Sequence, residues 1–396
     1  MDPITHAASG AVAMLALPRR PATRWAVPLA ALAAASPDID VIFCHTPLQF
    51  LLLHRGITHS LAAAPLLGLL LALLSRPLWR AHTPEHWGFA KVWLFMVCMV
   101  LLHIWLDVIT TYGTMIYLPF SHERVRLNAV FIIDLLLTLP LLWAVLRWRA
   151  RRGLMRLALA WIIVYPALCI GLNAWHTAQT EQRLTAEGRT AGRIVVLPDG
   201  FAPLFWRTIY EEDGPQGRIV YSQGLDALGR PHDAPVPHKA APPELMAALA
   251  RQSVAADAFF DFTLLPVMSP LIAEDMPPGA PGAFHTPDAG GTDGAGPETS
   301  GRVTYMLFHD LRFGSSLKLV RAAMASRPNA DIPFRYMTEL EMPAVKKDGT
   351  PQTEAPPEAR LLLERLRFSD SGKDSHWQSP RPPASPGILD WLVGLR

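Results

Sequence analysis

The chain has 396 residues, half of them hydrophobic and 18% charged, with a formal net charge of +2. That near-neutral balance excludes the concentrated basic face that displaces counterions from nucleic-acid phosphates, so nucleic acid is not an expected partner. Apolar runs concentrate in residues 1–175, whereas 176–396 are rich in Pro, Gly and charge and hold no run long enough to cross a bilayer.

The N-terminus, Met1-Asp2-Pro3-Ile4-Thr5-His6, lacks the basic region and small-residue cleavage site of a secretory signal, so it is expected to stay in the mature protein. Two short, small-residue-rich runs follow, Ile4–Leu17 and Trp25–Ala35, which are either thin spans or a helical hairpin packed inside the bundle and are read as a paired pass. Ser60–Ser75 is a somewhat short span. Val92–Thr111, Ala129–Leu146 and Leu157–Asn173 each approach the roughly 20 residues a helix needs to cross hydrocarbon. Under this six-segment reading, one set of loops carries eleven basic residues, among them Arg19, Arg20, Arg24, Arg149 and Arg152. The opposite loops carry three, Arg55, Arg124 and Arg126. Positive charge is retained on the cytoplasmic side, so the N-terminus and the C-terminal half are expected to face outward, at a bacterial inner membrane.

Beyond residue 175 the pattern changes to alternation. Arg193–Pro198, Leu204–Tyr210, Arg218–Ser222, Val303–Arg312 and Phe334–Met342 read as strands of a small antiparallel sheet, with a helix near Pro243–Phe260. The insert Pro277–Gly301 and the tail Lys346–Pro386 have the composition of disordered segments. The expected fold is therefore a membrane all-α bundle of about six helical segments (1–175), a small β-rich α+β soluble domain (176–345) and a mostly disordered Pro-rich tail (346–396). All three cysteines, Cys44, Cys98 and Cys169, lie in the first half, so no disulfide framework braces the second.

The polar residues within this bundle share one level. His6 opens the first segment, Asp38 and Asp40 follow the second, and His54 and His59 precede or open the third. His103 and Asp107 lie in the outer half of the fourth, and Asp134 begins the fifth. Ionisable groups in or beside spans are costly unless paired, coordinated or hydrated, so a shared site is the economical reading. His103 and Asp107 are four residues apart on a helix and point from one face. Asp38 and Asp40, two apart after a helix end, can present both carboxylates to one side. Imidazoles mixed with carboxylates suit a divalent ion, zinc foremost and manganese or iron as alternatives. Asp134 is either an orienting group or a packing carboxyl. His82 and His86 read as surface residues, and Arg55, Arg124 and Arg126 as contacts to an anionic substrate or to lipid headgroups.

At these residues the sequence resembles the membrane-bound metal-dependent hydrolase family, the YdjM-like inner-membrane proteins. The matching stretches are MDPITH at 1–6, SPDID at 36–40, HRGITHS at 54–60 and HIWLDVITTYGT at 103–114. PFS at 119–121 and IID at 132–134 continue them in order. The second half is similar to longer family members through FAPLFWRTIY at 201–210 and HDLRFG at 309–314. The resemblance implies His6, Asp38, Asp40, His54, His59, His103 and Asp107 as the polar core, holding one or two ions, and hydrolysis as the activity. The expected chemistry is attack of activated water on an ester or phosphoester, from a lipid or an envelope metabolite, with Asp40 or His59 as general base. Two alternatives stand beside it, an envelope protein with a structural ion and a metal or proton transporter. The transporter is disfavoured by the apolar inner halves of the spans.

Overall fold

A computed structural model describes residues 1–80, 87–215, 217–272, 275–280, 302–318, 320, 322, 334–342, 359–368 and 376–383. Most of the insert and much of the tail expected to be disordered lie outside these residues, as do His82 and His86.

The N-terminal region comprises α1 (Pro3–Ala16), α2 (Ala26–Ala35), α3 (Pro47–Leu53), α4 (Ala64–Arg80), α5 (Phe89–Val108), α6 (Leu135–Trp148) and α7 (Arg152–Ala186). A 3-10 helix, Ser36–Phe43, prolongs α2, and a single 3-10 turn, Ile57–His59, precedes α4. Asp2 caps α1, accepting from the Thr5 backbone N–H at 3.0 Å, with Pro3 at the first helical position. The Thr46 and Gln49 side chains form a reciprocal capping box that starts α3.

Six spanning helices are not what forms. Three helical stretches are long and apolar enough to cross a membrane: Ala26–Phe43, Phe89–Val108 and Arg152–Ala186. A fourth arises if Pro47–His59 and Ala64–Trp79, bent by 77°, count as one broken span. The 14 residues of α1, and likewise of α6, rise about 21 Å, short of a hydrocarbon core of about 30 Å. Instead α1 is buried along most of its length, packed against α2, α6 and α7. Its approach to α2 is close because Gly10 has no Cβ, which would fall 2.3 Å from the Ala30 carbonyl oxygen. Around this core the outward faces stay apolar, with Leu66, Leu94, Leu157 and Leu168 all exposed, as a lipid-facing belt requires.

The C-terminal region is one antiparallel sheet of eight strands in sequential order. The strands are β1 (Arg193–Pro198), β2 (Phe205–Gly214), β3 (Gly217–Asp226), β4 (Val236–Ala240), β5 (Pro266–Pro270), β6 (Arg302–Asp310), β7 (Phe334–Met342) and β8 (Arg360–Phe368). Between β4 and β5 the expected single helix is a pair, α8 (Pro243–Gln252) and α9 (Val254–Phe262), broken at Ser253, whose hydroxyl caps α9. One strand, β8, falls in the stretch expected to be a disordered tail, and it pairs with β7 from end to end except at a register shift that leaves Leu362 unpaired.

The two regions share packed surface. Leu51 of α3 and Tyr112 join the cluster formed by Phe259, Phe262, Phe308, Phe334 and Tyr336. Arg312, ion-paired to Asp310 at 2.7 Å, donates to the carbonyls of Thr111 and Tyr112 at 3.2 Å each. The sheet thus rests on the end of the bundle where α5 finishes, and α7 extends out of the bundle to pack on β1.

Candidate metal centre

That end of the bundle holds the polar residues. His103 and Asp107 occupy the last turns of α5, Asp38 and Asp40 the 3-10 helix after α2, His59 the turn before α4, and His6 the first turns of α1. Each lies where an apolar segment begins or ends, so helix packing alone brings them to one depth.

Four groups form the centre. The Nε2 atoms of His59 and His103 face each other at 3.0 Å. The Asp38 Oδ1 lies 3.4 Å from the first and 3.5 Å from the second. The Asp107 Oδ2 lies 3.2 Å and 3.3 Å from the same two nitrogens. Around a tetrahedral zinc with bonds of about 2.0–2.1 Å, neighbouring donor atoms stand roughly 3.3 Å apart. Five edges of that tetrahedron are therefore in place. Asp107 Oδ2 is buried and has no hydrogen-bond partner, a condition that a cation at the centre would relieve. The donor set and its spacing fit a divalent ion.

The orientation of both imidazoles is determined from behind. His103 donates from Nδ1 to the Ala34 carbonyl at 2.7 Å, which leaves the Nε2 lone pair toward the centre. The His59 Nδ1 sits 3.3 Å from Asp40 Oδ2 and 3.0 Å from the Thr58 hydroxyl. Asp40 therefore stands behind His59. It also accepts from the Arg55 backbone N–H at 3.0 Å and from Thr58 at 3.2 Å, and its other oxygen is 3.1 Å from His54 Nδ1. Asp38, Asp40 and His54 make a second trio whose donor atoms lie within 4.8 Å of one another, so Asp38 belongs to both groups. His6 is beside the centre and outside both groups. Its ring stacks on His103 at 3.7 Å, its Nε2 is 3.4 Å from Asp107 Oδ1, and neither ring nitrogen has a hydrogen-bond partner.

Sequence reasoning missed the main counter-charge. Arg55, read from sequence as a contact to substrate or lipid, is only 3% exposed and turns inward. Its Nη2 pairs with Asp107 Oδ1 at 2.9 Å, its Nη1 donates to Thr110 Oγ1 at 2.9 Å, and its guanidinium lies 4.7 Å over the Tyr112 ring. The α-amino group of Met1 also rests on Asp107 Oδ1. The available signal was the position of an arginine between two site histidines in HRGITH. Arg124 is likewise turned inward, donating to the Leu51 carbonyl at 2.5 Å and lying over Phe262. Asp134 does not reach the centre. It caps α6 through Leu137 N–H at 2.9 Å and accepts from Tyr165 at 2.8 Å, which makes it the packing carboxyl of the two readings.

With this geometry established, residues 1–177 match the model of the family described as YdjM inner membrane protein. Over these residues the chain is similar to the YdjM inner membrane protein family. The match ends within α7, so the sheet lies outside the YdjM region. Among curated relatives, the chain is 30% identical over 132 residues to "Uncharacterized protein YfhP" of Bacillus subtilis (strain 168). That alignment covers 33% of this chain and 39% of YfhP, so the chain spans about two-fifths of the length of the relative it matches. No solved structure matches the chain. The HRGITH and HIWLD stretches both fall in the YdjM region, together with every donor of the centre.

Proposed function

We propose that the YdjM region is a metal-dependent hydrolase acting on an ester or phosphoester, carried by a lipid or an envelope metabolite. The observation that supports it is the near-tetrahedral set of Asp38, His59, His103 and Asp107 donors at the end of an apolar bundle. These four would hold a divalent ion, zinc foremost and manganese or iron as alternatives. Bound there, such an ion supplies polarisation of a substrate oxygen and a lowered pKa for water.

The chain's own groups divide the remaining work. His59 and His103 are each locked from Nδ1, so neither ring must reorient. His59, a sequence candidate for general base, has both nitrogens engaged, which favours a ligand role. Asp40 with His54 is the better proton acceptor, because His54 is partly exposed and can pass a proton outward. Asp38 is the one donor of the four with appreciable exposure, 20%, so substrate would approach past it. A second ion would be held by Asp38, Asp40 and His54, and Asp40 would then serve as a ligand rather than as the proton acceptor; metal stoichiometry decides between these. The excess of positive charge on the opposite loops supports an outward-facing site and sheet domain.

A set already filled by four protein donors, and complete burial of His59, His103 and Asp107, favour one rival reading, a structural ion that staples α2, α4 and α5; hydrolysis requires that water enter a fifth position or take the place of the partly exposed Asp38. Full-length protein in detergent should be assayed for metal by mass spectrometry and for turnover on carboxylic-ester and phosphoester panels, with and without chelator. We expect bound metal and chelator-sensitive turnover, both lost in His103→Ala and Asp107→Asn. Bound metal that raises thermal stability without turnover on any substrate would leave the structural ion; absence of metal would remove both readings.

A further inference from the structure

The opposite end of the bundle carries a second feature that the metal centre does not use. A cavity of about 360 Å³ opens between the α1–α2 connection and the end of α6, lined by Leu15, Val27 and Val145 together with Arg20, Arg24 and Arg149. Leu15 lies nine residues beyond His6 on α1, about 14 Å along its axis. The three arginines are exposed, and none pairs with a carboxylate among the described residues. Arg24 stacks over Trp25 at 5.2 Å, and Trp25 is itself exposed, as aromatic side chains at a membrane interface are. Leu146, adjacent to the lining residue Val145, is 79% exposed and Trp143 is also exposed, so the rim continues into apolar helix surface.

We propose that this cavity binds the headgroup of an anionic phospholipid, with the phosphodiester held by Arg20, Arg24 and Arg149 and the acyl chains lying on the apolar flank of α6. Guanidinium forks match phosphate oxygens bidentately. A volume of this size suits a glycerophosphate group. Three cations around one mouth repel each other until an anion enters. A soluble anion would satisfy the charges and leave the apolar rim unused, whereas a lipid satisfies both and is delivered at this depth by the bilayer. The site is independent of the metal centre and of any hydrolytic reading.

Native mass spectrometry of the full chain, titrated with phosphatidylglycerol, phosphatidylcholine or soluble glycerol phosphate, tests the proposal. Wild-type protein should retain phosphatidylglycerol roughly tenfold more tightly than phosphatidylcholine, the scale expected of a few interfacial arginines. The triple variant Arg20→Gln, Arg24→Gln, Arg149→Gln should lose that preference, with Arg149→Gln alone intermediate. A variant with Arg151, Arg152 and Arg156 changed to Gln removes equal charge from outside the cavity and should keep it. Equal retention of the two lipids by wild type would overturn the proposal, as would equal loss in the control variant. Glycerol phosphate binding as tightly as phosphatidylglycerol would assign the cavity to a soluble anion instead.

Discussion

The Arg55 guanidinium meets the Asp107 carboxylate at 2.9 Å inside the bundle, joining the connection after α3 to the end of α5. Arg55 holds a backbone φ of 58°, a left-handed conformation that a non-glycine residue adopts at a cost. Contacts on three sides keep it there: its N–H on Asp40, its side chain on Asp107 and Thr110, and its face on Tyr112.

Removing the side chain should therefore be costly. Arg55→Met leaves the Asp107 carboxylate buried with one fewer cation, and breaking a buried pair from one side costs about 3–5 kcal/mol. Arg55→Lys should recover only part of this, since an ammonium lacks the planar fork that serves Asp107 and Thr110 together. Unfolding midpoints of the purified full chain in one detergent provide the check. A Met variant as stable as wild type would show that the pair contributes nothing.

Gly10 offers a second test, on helix packing. A methyl group there would lie 2.3 Å from the Ala30 carbonyl oxygen and 2.7 Å from the Ala34 Cβ. Gly10→Ala should push α1 from α2 and destabilise by about 1–3 kcal/mol. Gly171, within α7, has nothing within 4 Å of the equivalent position, so Gly171→Ala should be neutral or stabilise by up to about 1 kcal/mol. Because the Ala30 carbonyl precedes Ala34, the residue whose carbonyl orients His103, the first substitution should also weaken metal retention, which the second should leave unchanged.

In the sheet domain, Glu364 makes a pH-dependent contribution. Burial raises its pKa above the usual carboxylate value, against the lowering effect of the Ser253 and Tyr336 hydroxyls, which donate to Oε2 at 2.5 Å and 2.8 Å. A raised folded-state pKa means that the folded chain holds the proton more tightly than the unfolded chain. The contribution is then complete below the unfolded pKa and is lost as pH rises through the folded one. Glu364→Gln keeps an acceptor and never ionises. Its stability relative to wild type should be constant in acid and should climb as pH passes through that window. Thermal unfolding at a series of pH values follows this directly, and a constant difference throughout would show that Glu364 titrates normally.

How much of this was legible beforehand follows from how local each feature is. The strands β1 and β7 match the alternating segments residue for residue, because alternation is a property of the segment itself. By contrast β8 lies in a stretch whose composition reads as disordered tail. Its run, Leu361-Leu362-Leu363 between charged residues, becomes a strand only against the free edge of β7.

The sequence by itself determined the depth of the site. Each His and Asp sits at a fixed distance along an apolar segment, and the axial rise of a helix turns that distance into a level, so residues remote in the chain shared one end of the bundle. Only the tertiary structure decided which groups face each other there. Packing placed Asp40 behind His59, set His6 beside the centre and turned Arg55 inward. It also made α1 a buried core helix, since its small residues allow a closer approach to a neighbouring helix than to lipid. Those outcomes depend on the sideways position and rotation of whole helices, which one segment's pattern does not encode.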